Sequence, residues 1–514
     1  MRQWTVHILA VLILWMACIY NIASAAKIVI ITTPHGSHVS PLLPVMRIIR
    51  EKYGHDVTFV LPEYMMKNSL VKGMKEKVII ADKLQNFHFE TFAKKGLAVA
   101  FNGTYPFKEL MTAFSGICDF VLSDEILMKK LASEKFDMVI LHNFFTSDCL
   151  NFVAYKLGLP FIHYGNFFEP VSTGIPFNPA TTPDFPVSWY SEDMSFIQRV
   201  INTMVYYVKP ILFGLLFSSD YSTKYAPEKP YISTRMLRSQ VQLNLLEFDV
   251  LLDYPRPALP HIKYVGGLNT GPAKPLTSKL KTYMDSADDG VVVMSFGSIV
   301  DEMPEKITKV LFAAMKKLPK LKFVVRYGKI EKQEENILLM PWLPQNDLLG
   351  HRNTKAFITH CGNSGQFEAL YHGIPMIGLY MSGDQNYNAK RMENKGYGLS
   401  KQIATVDEDT LKHMITEVAY NVTFRKNIHR ASLIFKSRPQ TPSEKAAFWI
   451  DHVIKYGGDY MRSKGASLPF YVYFSLDVYV FLIAVVSLLI ILLRVILSAC
   501  FRCCKRRNQK VKTS

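Results

Sequence analysis

Apolar residues in this chain recur as short uninterrupted runs, each followed by a polar turn and then by helical spacing. Lys27–Thr32 is the first such run; it passes through Thr33-Pro34-His35-Gly36-Ser37-His38 into helical spacing over 40–52, which stops at Tyr53-Gly54-His55. Asp56–Leu61 and Phe136–Ile140 repeat the strand pattern. The second half does the same at Val291–Phe296, Phe323–Arg326, Ile337–Leu339, Ala356–Thr359 and Ile374–Tyr380. Helical spacing covers Glu305–Lys317 behind Pro304, and Phe367–Tyr371 reads as a further helix with Glu368 in its first turn. Strand, turn and helix in succession predict parallel βαβ units, so the fold class expected is α/β with two Rossmann-like doubly wound domains.

Two longer apolar stretches mark the ends. Residues 1–25 carry Arg2, an apolar run from Ile8 to Tyr20, and Ala23-Ser24-Ala25, the layout of a cleaved signal peptide. Val478–Leu493 is uninterrupted, and only Arg494 breaks its continuation to Phe501. As a helix that span reaches about 36 Å, enough for a hydrocarbon core of ~30 Å, so 476–501 is expected to cross a membrane. Arg502, Lys505, Arg506, Arg507, Lys510 and Lys512 follow it, which makes 502–514 a cytosolic basic tail. A Pro- and Gly-rich stretch, 255–282, reads as the linker between domains. Residues 165–215, rich in Pro and aromatics, are expected to form loops and short helices; within them Ile201–Phe217, interrupted by Lys209-Pro210, reads as a buried helix pair, with a membrane-touching patch as the other reading.

Composition changes the picture in three places. A length of 514 residues, 49% of them hydrophobic, suffices for two domains plus membrane segments. The net charge of +17 sits partly in the tail and has no basic stripe with interleaved aromatics, which argues against a nucleic-acid interface. The seven cysteines are too scattered for a disulfide framework: Cys18 is in the leader, Cys500, Cys503 and Cys504 end the anchor, and only Cys118, Cys149 and Cys361 are globular. A Cys118–Cys149 bridge can be drawn, but buried thiols are the expectation. No Cys/His spacing suggests a metal site. Asn102-Gly103-Thr104 and Asn421-Val422-Thr423 are glycosylation sequons.

The chemistry concentrates in Met340–Lys395, where a Gly-rich turn precedes a helix and so offers an anion site. The run WLPQNDLLGHRNTKAFITHCGNSGQFEALYHGIPMIGLYMSGDQ, from Trp342 to Gln385, closely resembles the donor-binding signature of the animal UDP-glycosyltransferases, with insect-like features. The resemblance runs from the signal peptide to the anchor and is weakest over 65–135 and 180–245. It implies a GT-B arrangement, two Rossmann-like domains facing a cleft: 26–254 for the acceptor, 283–443 for the UDP-sugar, and 444–475 as a returning helix and juxtamembrane segment.

It also implies roles. Trp342 would stack on uracil and Gln345 would bond the uridine. Glu368 would take the ribose hydroxyls. Ser298, His360, Gly362, Asn363, Ser364 and Gly365 would hold the diphosphate, and Asp384 and Gln385 the sugar. Ser364 and Asn363 are exchanged relative to many relatives. His38 would be the general base, a task that an imidazole suits near neutral pH; His35 is the weaker candidate. Where many relatives carry an acid to support it this chain has His142, so Asp148 is the candidate partner, with a helix N-cap as its other reading. Asp137 opens its strand and reads as structural.

The implied reaction is inverting transfer of a hexose, with glucose preferred, from a UDP-sugar to a hydroxyl of a small lipophilic acceptor, without cofactor or metal. Two other readings are transfer to a membrane lipid and a catalytically silent nucleotide-sugar-binding partner. Lys510 and Lys512 resemble a dilysine retrieval signal, which places the protein in the endoplasmic reticulum membrane with its catalytic domains lumenal. Homo-oligomers and palmitoylation of the terminal cysteines are left open.

Overall fold

The computed structural model describes residues 25–68, 71, 73–86, 89–102, 116–143, 148–166, 170–184, 190–216, 220–300, 302–328 and 334–511. The leader and the last three residues therefore lie outside it, as do Gly103 and Thr104 of the first sequon.

Among the described residues, thirteen strands form two all-parallel sheets. The first has seven strands: β1 (Lys27–Ile31), β2 (Asp56–Leu61), β3 (Lys77–Ile80), β4 (Met138–His142), β5 (Phe161–Gly165), β6 (Leu243–Leu246) and β7 (Ile262–Tyr264), in the order 3-2-1-4-5-6-7. The second has six: β8 (Val291–Ser295), β9 (Lys322–Arg326), β10 (Ile337–Met340), β11 (Thr354–Thr359), β12 (Met376–Tyr380) and β13 (Gly398–Gln402), in the order 10-9-8-11-12-13. Both orders reverse beside the first strand of the half, β1 or β8. Such switch points open crevices at the carboxyl ends of strands.

The helices that matter to the cleft are α1 (Gly36–Val39), α2 (Leu42–Tyr53), α3 (Phe196–Leu216), α4 (Gln345–Leu349), α5 (Asn363–His372), α6 (Gln385–Asn394), α7 (Pro442–Tyr456) and α8 (Leu476–Val511). α7 starts with a complete capping box, Thr441 with Glu444. It then returns to the first half, where Ala446, Ala447, Ile450 and Val453 join Ile28, Ile30, Phe59 and Ile140 in one core. His55 bonds Asp451 of α7 at 3.0 Å inside this contact. Over Leu476–Cys503 α8 is long and apolar enough to cross a membrane, and none of that span is buried against the protein.

Two expectations need correcting. Ile201–Phe217 is not a buried helix pair: α3 is one helix that runs through Pro210. Its charged Lys209 points inward to Asp184, while Phe196, Ile197, Met204 and Val208 are at least half exposed. The charge, not the apolar stripe, is on the inner face. Cys118 and Cys149 are also not separate thiols; they are joined as a disulfide, with Cα atoms 5.8 Å apart. The helical turn that holds Cys118 packs beside the Asp148–Leu150 turn in the core of the first half, a proximity that the sequence spacing does not reveal.

Candidate active site

β1 ends in the buried Thr32 and Thr33, and the chain turns through an extended His35 into α1, which presents His38. The His38 ring stacks on His142, with centroids 4.5 Å apart and planes at 22°, and meets His35 edge-on at 5.5 Å. His142, the last residue of β4, has Nδ1 3.2 Å from Thr33 Oγ1. His142 is thus a stacking surface for the candidate base. Burial lowers His35 and His142 to about 4. His38 is lowered well below its usual value by burial, then by His142 and His35. All three rings are therefore neutral at pH 7. Asp148 opens a 3-10 turn, but its side chain lies outside the described residues.

In the other half β11 leads through His360 and a left-handed Cys361 (φ 64) to Gly362, which caps α5. The helix begins at Asn363, not Phe367, so Asn363, Ser364 and Gly365 form its first turn and Glu368 lies mid-helix. Gln366 is the first residue whose N–H finds a helical acceptor, Gly362 O at 3.1 Å. The three N–H groups before it keep the anion-binding capacity of a helix start. The His360 ring is wedged between two glycines: a Cβ on Gly362 would fall 2.4 Å from Nε2, and one on Gly297 2.8 Å from it. Its Nδ1 is buried without a hydrogen-bond partner among the described residues, and burial, then Arg326, lowers its pKa to about 4. Asn363 is committed: Arg391 donates to its Oδ1 at 2.6 Å and its Nδ2 donates to Glu247 O at 3.0 Å.

Trp342 is 38% exposed, and the Arg326 guanidinium lies 5.1 Å from its ring centre. Arg326 is itself held by the carbonyls of Gly297 and Val300. Glu368 accepts from Gln345 at 2.5 Å and from Asn269 at 2.8 Å, and burial pushes its carboxyl up to about 7. Gln345 and Glu368, predicted as separate contacts, are therefore one bonded pair. Asp384 precedes α6 and accepts from Asn388 at 2.8 Å. Gln385 Oε1 accepts from Met381 N at 2.8 Å, which leaves its amide nitrogen for other partners.

The two halves meet through these groups. Ser298 Oγ lies 3.4 Å from His35 Nε2, and Asn166, just past β5, donates to Asp384 at 3.1 Å. The fully buried Arg391 of α6 bonds Asp253 at 2.8 Å, and Arg256 bonds Tyr387 at 2.6 Å. His38, Ser298, His360 and Asp384 are thus gathered around one cleft. The sequence reading passed over Asn166, Glu247, Asn269 and Arg326. Their only signal was position, just past the ends of β5 and β6, in the linker and at the end of β9.

Comparison with known proteins bears on the family and the fold. The family profile described as UDP-glucoronosyl and UDP-glucosyl transferase matches residues 18–512. Human UDP-glucuronosyltransferase 1A6 is 32% identical over 474 residues, 88% of this chain and 87% of the relative. Mouse UDP-glucuronosyltransferase 2A1 is 36% identical over 408 residues, 77% of this chain and 75% of the relative. Among solved structures, Os79 from O. sativa in complex with UDP superposes with a TM-score of 0.56 at 15% identity, covering 83% of this chain and 100% of that one. The kitacinnamycin glycotransferase gives 0.56 at 16% identity, covering 83% and 99%. The fold is that of two-domain GT-B enzymes, and the chain belongs to the UDP-glucoronosyl and UDP-glucosyl transferase family, a UDP-sugar-dependent glycosyltransferase.

Proposed function

We propose that the chain transfers a hexose from its UDP conjugate to a hydroxyl of a small lipophilic acceptor, with inversion. The observation that carries this reading is the Ser298–His35 contact at 3.4 Å, which joins the imidazole cluster around His38 to the half that holds the open first turn of α5 and His360, whose Nδ1 has no hydrogen-bond partner among the described residues. Trp342 stacks on uracil, and the Gln345–Glu368 pair turns to the uridine and its ribose. Ser298, His360 and the first turn of α5, Gly362 to Gly365, hold the diphosphate; Asp384 and Gln385 take sugar hydroxyls.

In the reaction His38 accepts the acceptor's hydroxyl proton as that oxygen forms a bond to the anomeric carbon. The bond from that carbon to the phosphate oxygen breaks, and UDP leaves with the electron pair. Its new charge is met by the α5 N–H groups and by His360, which as a neutral imidazole can donate one N–H. Asp148 stabilises protonated His38. A lipophilic acceptor is supported by α3, whose exposed apolar face adjoins the anchor: the rings of Tyr207 and Phe474 are 4.8 Å apart.

The proposed setting is the endoplasmic reticulum membrane, crossed once, with the two sheets lumenal. An internal disulfide fits an oxidising lumen. Asn421 is exposed, as a glycan acceptor must be. The test is His38→Ala in the full chain. UDP binding should persist at the parent's affinity while transfer to a phenol panel falls at least a thousandfold; turnover within tenfold of the parent would refute the base.

A further inference from the structure

Glu247 is the first residue past β6, on the strand beside β5 and Asn166. Its N–H donates to Gly165 O at 2.9 Å and its carbonyl accepts from Asn363 at 3.0 Å, so its backbone is fixed against the first turn of α5. Its carboxyl lies within hydrogen-bonding reach of the Tyr164 hydroxyl and electrostatic reach of Asp384. Asp384 is in turn bonded by Asn166 from the same sheet edge. This end of the cleft therefore carries two carboxyls, one from each half, and Asp384 already accepts from the amides of Asn166 and Asn388. The nearby cation, Arg391, is engaged with Asp253, Gln366 and Asn363. Burial and then Asp384 push the Glu247 carboxyl up to about 7, a sign that the two acids repel.

A neutral hexose answers this arrangement with hydroxyls, each able to donate to a carboxylate. A uronate would bring a third carboxylate into the same space. We propose that Glu247 is a donor-specificity residue which, with Asp384, selects UDP-linked neutral hexoses and rejects UDP-linked uronates. This rests on the UDP-hexose reading given above. It also sets the chain apart from its relatives named for glucuronate transfer.

The test needs no acceptor. Binding of UDP, UDP-glucose and UDP-glucuronate is measured by calorimetry at pH 8, above the raised Glu247 value so that its carboxyl is ionised, on the detergent-solubilised full chain and on Glu247→Gln, which keeps an acceptor oxygen. The parent should bind UDP-glucose at least a hundredfold tighter than UDP-glucuronate, the cost of a like charge placed beside two carboxyls. Glu247→Gln should narrow that ratio at least tenfold, mainly by tightening UDP-glucuronate, with UDP affinity unchanged. The proposal is overturned if the parent binds UDP-glucuronate as well as UDP-glucose. It is equally overturned if Glu247→Gln binds UDP but leaves the ratio within twofold. Failure of the parent to bind UDP at all would instead remove the UDP-hexose reading, and this proposal with it.

Discussion

Gly362→Ala isolates the contribution of the His360 ring. Gly362 has φ −64, a value any residue adopts, so alanine brings no backbone penalty. Its Cβ would fall 2.4 Å from His360 Nε2, whereas ordinary contacts of this kind lie at 3.4–4 Å. The ring must therefore retreat by about 1 Å, and Gly297 closes the other side. A displacement of about 1 Å at a positioned group costs about a hundredfold in rate, or ~2.7 kcal/mol. Losing one donor to a developing oxyanion has a similar cost. The assay is turnover of UDP-glucose with a phenol acceptor by the purified full chain, alongside thermal unfolding. Turnover should fall roughly a hundredfold with an unfolding temperature within about 2 °C of the parent. Gly271→Ala, where an added Cβ meets nothing within 4 Å, should match the parent in both. If Gly362→Ala keeps more than a third of the parent's turnover, His360 does not act where its wedged ring sits.

Three further predictions concern stability. Arg391→Ala should destabilise the protein by about 3 kcal/mol in denaturant titration, because it takes the nearer cation from the buried Asp253 carboxylate, leaving Arg256 at 3.7 Å, and unpairs two amide acceptors; a loss under about 1 kcal/mol would show the network to be incidental. Replacing both Cys118 and Cys149 by Ala should cost about 3–4 kcal/mol of chain-closure entropy for a separation of 31 residues, and an unchanged unfolding midpoint would contradict the bridge. Glu368 binds its proton more tightly folded (about 7) than unfolded (4.5), so its contribution to stability falls as pH rises through that interval. His35, His142 and His360, lowered to about 4, slope the opposite way below 6.5. The measurement is therefore the difference between parent and Glu368→Gln, and that difference should grow from pH 4.5 to 7 in favour of the variant.

The strands that could be read in the sequence are those buried on both faces, where parallel pairing leaves no polar alternation: β1, β4, β8 and β12 are apolar apart from an end residue, and β2, β9 and β11 keep apolar runs beside polar residues. β3, β5, β6, β7 and β13 went unread. They are short, and β5 carries His163, β6 Asn244 and β13 a run of partly exposed polar residues. In the site, the contiguous signature yielded His360, Glu368 and Asp384 because motif and chemistry coincide there. Glu247 and Asn166 could not be found that way, since each gains its meaning from a partner more than a hundred residues away across the cleft. The start of α5 was misplaced because Gly362 and Gly365 read as a turn, whereas Gly362 is the cap and Gly365 already lies within the helix.

The return of α7 decides where this protein can be shortened. Among the described residues, everything after Ser475 belongs to α8, whose apolar span is not buried against the protein, so removing it exposes no interior. A cut ahead of Pro442 would strip Ala446, Ala447, Ile450 and Val453 from a sheet some four hundred residues upstream, and would leave His55 facing solvent in place of Asp451. The N-terminal half therefore cannot be completed during synthesis until nearly the whole polypeptide has emerged. An isolated N-terminal half should be insoluble unless the α7 peptide is supplied with it.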